Sequence, residues 1–257
     1  MNGQIFDDWT DAYEAMVDWP KRLAHEEPFY RRLFERVGVR SLVDVACGTG
    51  HHAAMFRLWG LRVEGADVSS NMVERARASF GERPGLRWVV RGFDEPVEPD
   101  EPFDAAICVG NSLALAPDKE AAFVALGQML WAVRPGGVVV VHLLNLWRLP
   151  DGPCVWQKCQ RVALPQGKVL LIKGVHRCGA QGHVDLMAVP LPEANRMQTD
   201  SATLLGFEAP EIEAAARRAG AARVDCFGDY RDGPYVRETS TDLIVVAERG
   251  DGAGPSE

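Results

Sequence analysis

Ser41-Leu42-Val43-Asp44-Val45-Ala46-Cys47-Gly48-Thr49-Gly50, followed by Val63-Glu64-Gly65-Ala66-Asp67, decides the fold. A short apolar run enters a turn with two close glycines and then a helix-forming stretch. A second apolar run ends in a lone carboxylate. In an α/β protein this order builds a nucleoside pocket: the glycines let a ligand approach the backbone, and the acid accepts hydrogen bonds from ribose hydroxyls.

Outward from this stretch, strands and helices alternate. Ser41–Ala46, Arg62–Ala66, Leu86–Val90, Asp104–Val109 and Val138–Leu144 read as strands. His51–Trp59, Ser70–Phe80 and Glu120–Val133 read as helices, closed in turn by Gly60, capped by Ser69 or Ser70, and stopped by Pro135-Gly136-Gly137. Continuous apolar strands in this rhythm predict a doubly wound, seven-stranded, mostly parallel sheet covered on both faces. The first forty residues carry Trp9, Tyr13, Met16 and Val17, then Phe29, Leu33 and Phe34, at helical spacing, with Pro20 as an interruption. From Val155 the pattern changes. Lys168–His176, His183–Pro190 and Arg196–Leu205 read as antiparallel strands, Glu208–Gly220 as a helix, and Ala222–Phe227 with Asp242–Ala247 as a closing strand pair. The expected organisation is one domain over 1–249, with a helical lid (1–40), a β-rich acceptor cap (148–206) and a disordered tail (250–257).

The chain has 257 residues, 47% of them hydrophobic, enough for a full core, and a formal net charge of −8. No overall basic field invites nucleic acid or an anionic membrane. No signal-peptide or membrane-spanning run occurs, so the expectation is a soluble cytoplasmic chain. The six cysteines form no CxxC pair, and Cys47 and Cys108 read as buried thiols at strand ends. His51-His52 are adjacent, point about 100° apart on a helix and lack a supporting acid or cysteine cluster, so no metal is expected.

The glycine turn alone fits a dinucleotide fingerprint, with Ala53 at its third position. Two further blocks narrow it: Phe103-Asp104 before a strand that ends in Gly110-Asn111-Ser112, and Arg134-Pro135-Gly136-Gly137 before the next. With these in order, residues 10–250 resemble the class I S-adenosylmethionine (SAM) methyltransferases, and most closely the small-molecule enzymes of the glycine N-methyltransferase type. The resemblance implies SAM as cofactor and a Rossmann-like fold. It implies that Asp67 holds the ribose, that Ala46, Gly48 and Gly50 line the methionine part, and that Gly110 and Asn111 lie beside the ligand's ammonium. Val68 and Phe93 would flank the adenine, with Asp94 nearby. Arg22 falls where the family's guanidinium grips the ligand's carboxylate, a task suited to a planar fork.

The resemblance implies a small-molecule acceptor methylated at nitrogen or oxygen, with nitrogen favoured. No Asn-Pro-Pro-Tyr or Asp-Pro-Pro-Tyr follows the fourth strand, which speaks against exocyclic base amines and a glutamine amide. Leu144 stands where the resemblance puts an acceptor-binding arginine, so glycine is disfavoured and a more apolar pocket expected. His142, Asn145 and Tyr230 are candidate catalytic residues; Tyr13, Trp19, Trp147, His176 and Tyr235 are further candidates for acceptor contact. Two alternatives remain at this level: a non-catalytic SAM-binding module and an NAD-dependent oxidoreductase, the latter disfavoured by the Pro-Gly-Gly turn.

Overall fold

A computed structural model describes residues 9–251 except 94, 98, 100 and 193–196. Asp94, the start of the expected strand at Arg196 and most of the expected tail lie outside the described residues. Ser41–Asp44 (β1) is buried throughout and lies between Arg62–Asp67 (β2) and Phe103–Cys108 (β4), parallel to both. Leu86–Val90 (β3) extends the sheet beyond β2, and Val133–Leu144 (β5) extends it beyond β4. Asp242–Arg249 (β11) then runs antiparallel to β5, and Ala221–Phe227 (β10) forms the far edge. The seven-stranded order is β3-β2-β1-β4-β5-β11-β10. Its direction reverses between β1 and β4, the switch point outside whose carboxyl ends ligands bind in open α/β sheets.

Both faces are covered. On one, Trp19–Val37 (α2) sends Tyr30 and Phe34 against Phe56 of His51–Leu58 (α3), and Ser70–Phe80 (α4) packs on β2 and β3. On the other, Lys119–Ala132 (α5) and Ala209–Arg218 (α6) pack on β4, β5 and β11. Ser69 caps α4 by accepting the Met72 N–H at 3.1 Å. No helix among the described residues is long and apolar enough to cross a membrane.

Two boundaries differ from expectation. Pro20 does not interrupt a helix: Thr10–Met16 (α1) ends first, Asp18 caps the next helix through the Lys21 N–H, and Pro20 occupies its first turn, where no amide hydrogen bond is needed. Arg134-Pro135-Gly136-Gly137 belongs to β5 instead of preceding it, and the pairing with β4 jumps from Phe103↔Val133 to Ala105↔Val138. Asp104 anchors this irregularity. Its Oδ1 accepts from Arg134 Nε at 2.6 Å, and its Oδ2 accepts the Arg40 and Ser41 amides at 2.8 and 2.9 Å. Burial opposes the charge, yet these donors hold the carboxylate below its ordinary pKa. The Phe-Asp and Arg-Pro-Gly-Gly blocks thus tie the starts of β1, β4 and β5 together.

A separate antiparallel sheet follows β5: Val155–Leu164 (β6), Gly167–Cys178 (β7), Gln181–Pro190 (β8) and Gln198–Leu205 (β9). β6 was not expected, because polar residues occupy both of its faces and most of it is exposed. The inner face of this sheet packs Val169, Leu171, Leu186 and Ala188 against Trp9, Ala12 and Met16. The cap sheet and α1 therefore form a small core of their own beside the large sheet.

Candidate active site

The glycine loop leaves β1 and folds back against β2. Gly50 adopts φ 88°, and a Cβ there would meet the Trp88 ring at 2.6 Å and Ala76 at 2.8 Å, so only glycine fits. Asp67, at the end of β2, accepts the Gly48 N–H at 2.8 Å through Oδ2 and the Ser69 N–H at 3.0 Å through Oδ1. Two amides therefore fix the carboxylate at the loop's rim. Val68 beside it is 57% exposed, an apolar surface open next to the acid. Phe93 is partly buried against the core under β4 and β5.

Beyond β4 the chain takes two consecutive left-handed residues, Gly110 (φ 77°) and Asn111 (φ 74°). Asn111 Oδ1 accepts the Leu144 N–H at 2.9 Å, and the Gly110 N–H donates to His142 Nδ1 at 3.2 Å. A Cβ on Gly110 would lie 3.5 Å from Arg22 Nη2, so the guanidinium of α2 sits directly over this turn. Arg22 is held by Glu26, whose Oε1 accepts from its Nε at 2.8 Å; Glu26 Oε2 lies 2.7 Å from His52 Nε2 on α3. Glu26 and His52 are 4% and 3% exposed. Burial works against the Glu26 charge, but His52 and Arg22 overcome it and take its pKa to about 2. Burial holds the His52 imidazole below its ordinary value, against the pull of Glu26.

Asp44, the last residue of β1, is fully buried. Its Oδ1 has a long contact to the Ala46 amide at 3.4 Å, and its Oδ2 has no partner among the described residues. Burial pushes its pKa up to about 8, with Asp67 adding to the rise and Arg22 opposing it. An unsatisfied buried carboxylate oxygen costs on the order of 1–3 kcal/mol or more, so this position fits a cationic donor supplied by a ligand. With an exposed valine, an anchored acid and a guanidinium around one glycine loop, the residues present fit SAM.

Side chains of α1 and α2 lie beside the glycine loop. Tyr13 on α1 stands beside Gly48, its Cε1 3.9 Å from where a Cβ would be. Glu14 Oε1 lies 2.7 Å from His51 Nε2, and Trp19 stacks on the His51 ring with centroids 4.1 Å apart. Arg75 on α4 pairs with Asp11.

Residues 42–137 match the methyltransferase domain family. That likeness runs from β1 to the start of β5. The chain is 32% identical over 155 residues to the glycine/sarcosine N-methyltransferase of Parasynechococcus marenigrum, covering 58% of this chain and 54% of that one. It is 30% identical over 179 residues to the glycine N-methyltransferase of Rattus norvegicus, covering 60% and 61%. The chain thus spans little more than half the length of these relatives. Among solved structures, the sugar N-methyltransferase KedS8 from a Streptoalloteichus species superposes with a TM-score of 0.76 over 98% of this chain and 95% of that one. At 23% identity that likeness is one of fold.

Around the glycine loop, several residues expected to contact an acceptor have structural partners. Asn145 is 3% exposed; its Nδ2 donates to the Arg237 and Ser240 carbonyls, both at 2.8 Å, and its Oδ1 accepts from Trp147 N and Tyr235 Oη. Trp147 Nε1 donates to the Phe207 carbonyl. His142 accepts from Gly110 and lies 3.2 Å from Asp242, with Tyr230 stacked on its ring, so it supports the turn under Arg22. The Tyr230 hydroxyl is buried, which pushes its pKa up. His176 lies on the outer face of the cap sheet, away from the glycine loop.

Lys173 escaped the sequence. It sits mid-strand on the inner face of β7, paired with Lys158 on β6 and Leu186 on β8. Lys158 donates to the Met16 carbonyl, while Lys173 has no ion-pair partner among the described residues. Burial lowers its pKa, and the charges of Lys158 and Arg22 lower it further. Strand pairing brings Lys158 beside Lys173 and tertiary packing brings the charge of Arg22 near, so no local motif announces Lys173.

Proposed function

We propose that this chain transfers a methyl group from SAM to a nitrogen of a small molecule that also carries an anionic group. The observation that carries the donor half is the unpaired Asp44 carboxylate, buried beside Arg22 and the glycine loop. Asp44 would accept from the ligand's ammonium, Arg22 would grip its carboxylate, and Asp67 would hold the ribose. Ala46, Gly48, Gly50, Gly110 and Asn111 would contribute backbone, with Val68 and Phe93 against the adenine. When bound, SAM supplies an electrophilic methyl on a sulfonium, which is already a good leaving group. The protein's task is then to orient the acceptor in line and exclude water. Tyr13, Trp19 and the α1–α2 lid would do the excluding.

An amine acceptor need only arrive unprotonated, and no side-chain base is required of the site. Nitrogen is favoured by the names of the relatives, and by a site whose candidate base, His142, is engaged at both ring nitrogens. Leu144 leaves the acceptor without an arginine from β5. Lys173, projecting from the cap, would take over as an anchor for a carboxylate or phosphate on the acceptor. The lid, domain and cap would form one catalytic unit.

The test is a panel of primary and secondary amines, each with and without a carboxylate or phosphate, incubated with the chain and SAM. Mass spectrometry should find a single added methyl on an anionic amine. Lys173→Met should raise KM for that acceptor at least tenfold while leaving kcat within a few-fold. Methylation only of neutral acceptors, or indifference to Lys173→Met, would remove the anionic requirement; no turnover on any amine would remove nitrogen as the acceptor.

A further inference from the structure

The outer face of the cap sheet holds a cluster that methyl transfer does not use. Gly174 on β7 forms its floor. Asp185 pairs directly with Gly174 from β8, His176 follows two residues along β7 on the same face, and Cys154 enters just before β6. A Cβ at Gly174 would lie 2.6 Å from Cys154 Sγ and 3.0 Å from the Trp156 ring, so the absent side chain is what admits the sulfur. Cys154 Sγ, a ring nitrogen of His176 and a carboxylate oxygen of Asp185 all lie within 4.8 Å of one another, and all three residues are partly buried.

The approach of His176 and Asp185 is informative. Nδ1 and Oδ2 are 3.2 Å apart, yet the buried Nδ1 makes no hydrogen bond among the described residues. The two atoms converge without the alignment an N–H donor would impose. Lone pairs so arranged suit a cation between them. Around a tetrahedral zinc ion with bonds of about 2.0–2.3 Å, neighbouring donors stand roughly 3.3–3.7 Å apart. The nitrogen–oxygen edge is already close to that value, and the sulfur needs only a side-chain adjustment above an open glycine. His183, cross-strand from His176, stacks on its ring with centroids 4.8 Å apart and fixes its plane.

We infer that Cys154, His176 and Asp185 form a zinc site, with water completing the tetrahedron. The donor set is chemically coherent. A thiolate, a neutral imidazole and a carboxylate carry two negative charges against a divalent cation, and sulfur with nitrogen selects zinc over magnesium or calcium. Trp156 walls the site on one side. Binding would fasten the segment that enters β6 to the β7–β8 hairpin, releasing the thiol proton as it does so.

The test uses the full chain, stripped with a chelator and kept reduced by a non-thiol reductant. Titration with Co2+ should give one equivalent of uptake, a sulfur-to-cobalt charge-transfer band in the near ultraviolet and intense tetrahedral visible bands, all displaced by Zn2+. Cys154→Ser should abolish the charge-transfer band. His176→Gln and Asp185→Asn should weaken Zn2+ binding on the order of 10–100-fold or more, and Zn2+ should raise the melting temperature of the wild-type chain but not of these variants. Lack of stoichiometric uptake by the wild-type chain would overturn the site. So would a band that survives Cys154→Ser, or one that disappears instead in Cys159→Ser or Cys178→Ser, both exposed thiols. None of these readouts requires methyl transfer.

Discussion

Asp67 and Asp44 lie on neighbouring strands, yet they work differently. Asp67 is held at the rim by two amides, and its substitution by alanine removes a charged acceptor. Asp67→Ala should weaken binding of S-adenosylhomocysteine by about 1–3 kcal/mol, measured calorimetrically; unchanged affinity would remove the ribose role. Asp44 is buried with its pKa raised to about 8, so below that pH it is mostly protonated in the free protein. An arriving ammonium stabilises the ionised form and drives the proton off. Calorimetry near pH 7 in buffers of different ionisation enthalpy should therefore record proton release on ligand binding, and Asp44→Asn should abolish most of it. Arg22→Ala should raise the dissociation constant, whereas a bound-ligand structure with Arg22 turned to solvent would end its assignment.

At the scale of elements, the decisive contact is α2 on α3 through Arg22, Glu26 and His52. Buried ion networks are poor sources of net stability, but breaking one strands a charge. Glu26→Gln should therefore weaken ligand binding by freeing the guanidinium, although Glu26 itself is one residue removed from the ligand. The pH dependence has a definite sign. Glu26 is held at about 2, below an ordinary carboxylate near 4.5, so the stability it contributes is present above that ordinary value and lost as pH falls through about 2. His52 is held below 6.5, so the unfolded chain takes up a proton that the folded chain refuses, and stability also falls as pH drops below 6.5. Denaturant titrations should show this decline beginning near pH 6.5, with a shallower onset in His52→Gln.

The same elements explain what a reader of the sequence can and cannot see. Gly48, Gly50 and Asp67 are legible because strand–turn–helix chemistry is local: a glycine turn or a strand-end acid marks its own position, whereas Gly110-Asn111 is reached through resemblance. Arg22 is reached only through resemblance, since a Lys-Arg pair on a helix is ordinarily a solvated face. Glu26 leaves only the ordinary i,i+4 spacing to Arg22, while His52 and Lys173 leave no local trace, because each matters through a partner brought to it by tertiary packing or strand register. β6 is missed for a different reason: with both faces partly in water, it lacks the alternation that identifies a half-buried strand.

At the scale of the whole molecule, the groups proposed to hold the ligand come from separate parts. Asp44, Asp67 and Gly110 belong to the large sheet and its loops; Arg22, Tyr13 and Trp19 belong to the N-terminal helices; Lys173 belongs to the cap. A ligand that binds only the folded chain stabilises it by about 2.7 kcal/mol at one hundred times its dissociation constant. Saturating S-adenosylhomocysteine should accordingly raise the melting temperature by several degrees, while NAD should leave it unchanged; the reverse result would favour the oxidoreductase alternative.

Arg22's position on the lid helix has one more consequence. The guanidinium that would recognise the ligand's carboxylate travels with α2, while the carboxylate that would recognise its ammonium stays with β1. The amino-acid end of the cofactor then acts as a clasp between two parts of the chain, and release of spent cofactor and opening of the helical cover become the same event. Amide exchange in α1 and α2 should slow when that clasp is in place, and should slow much less with adenosine, which lacks the amino-acid end.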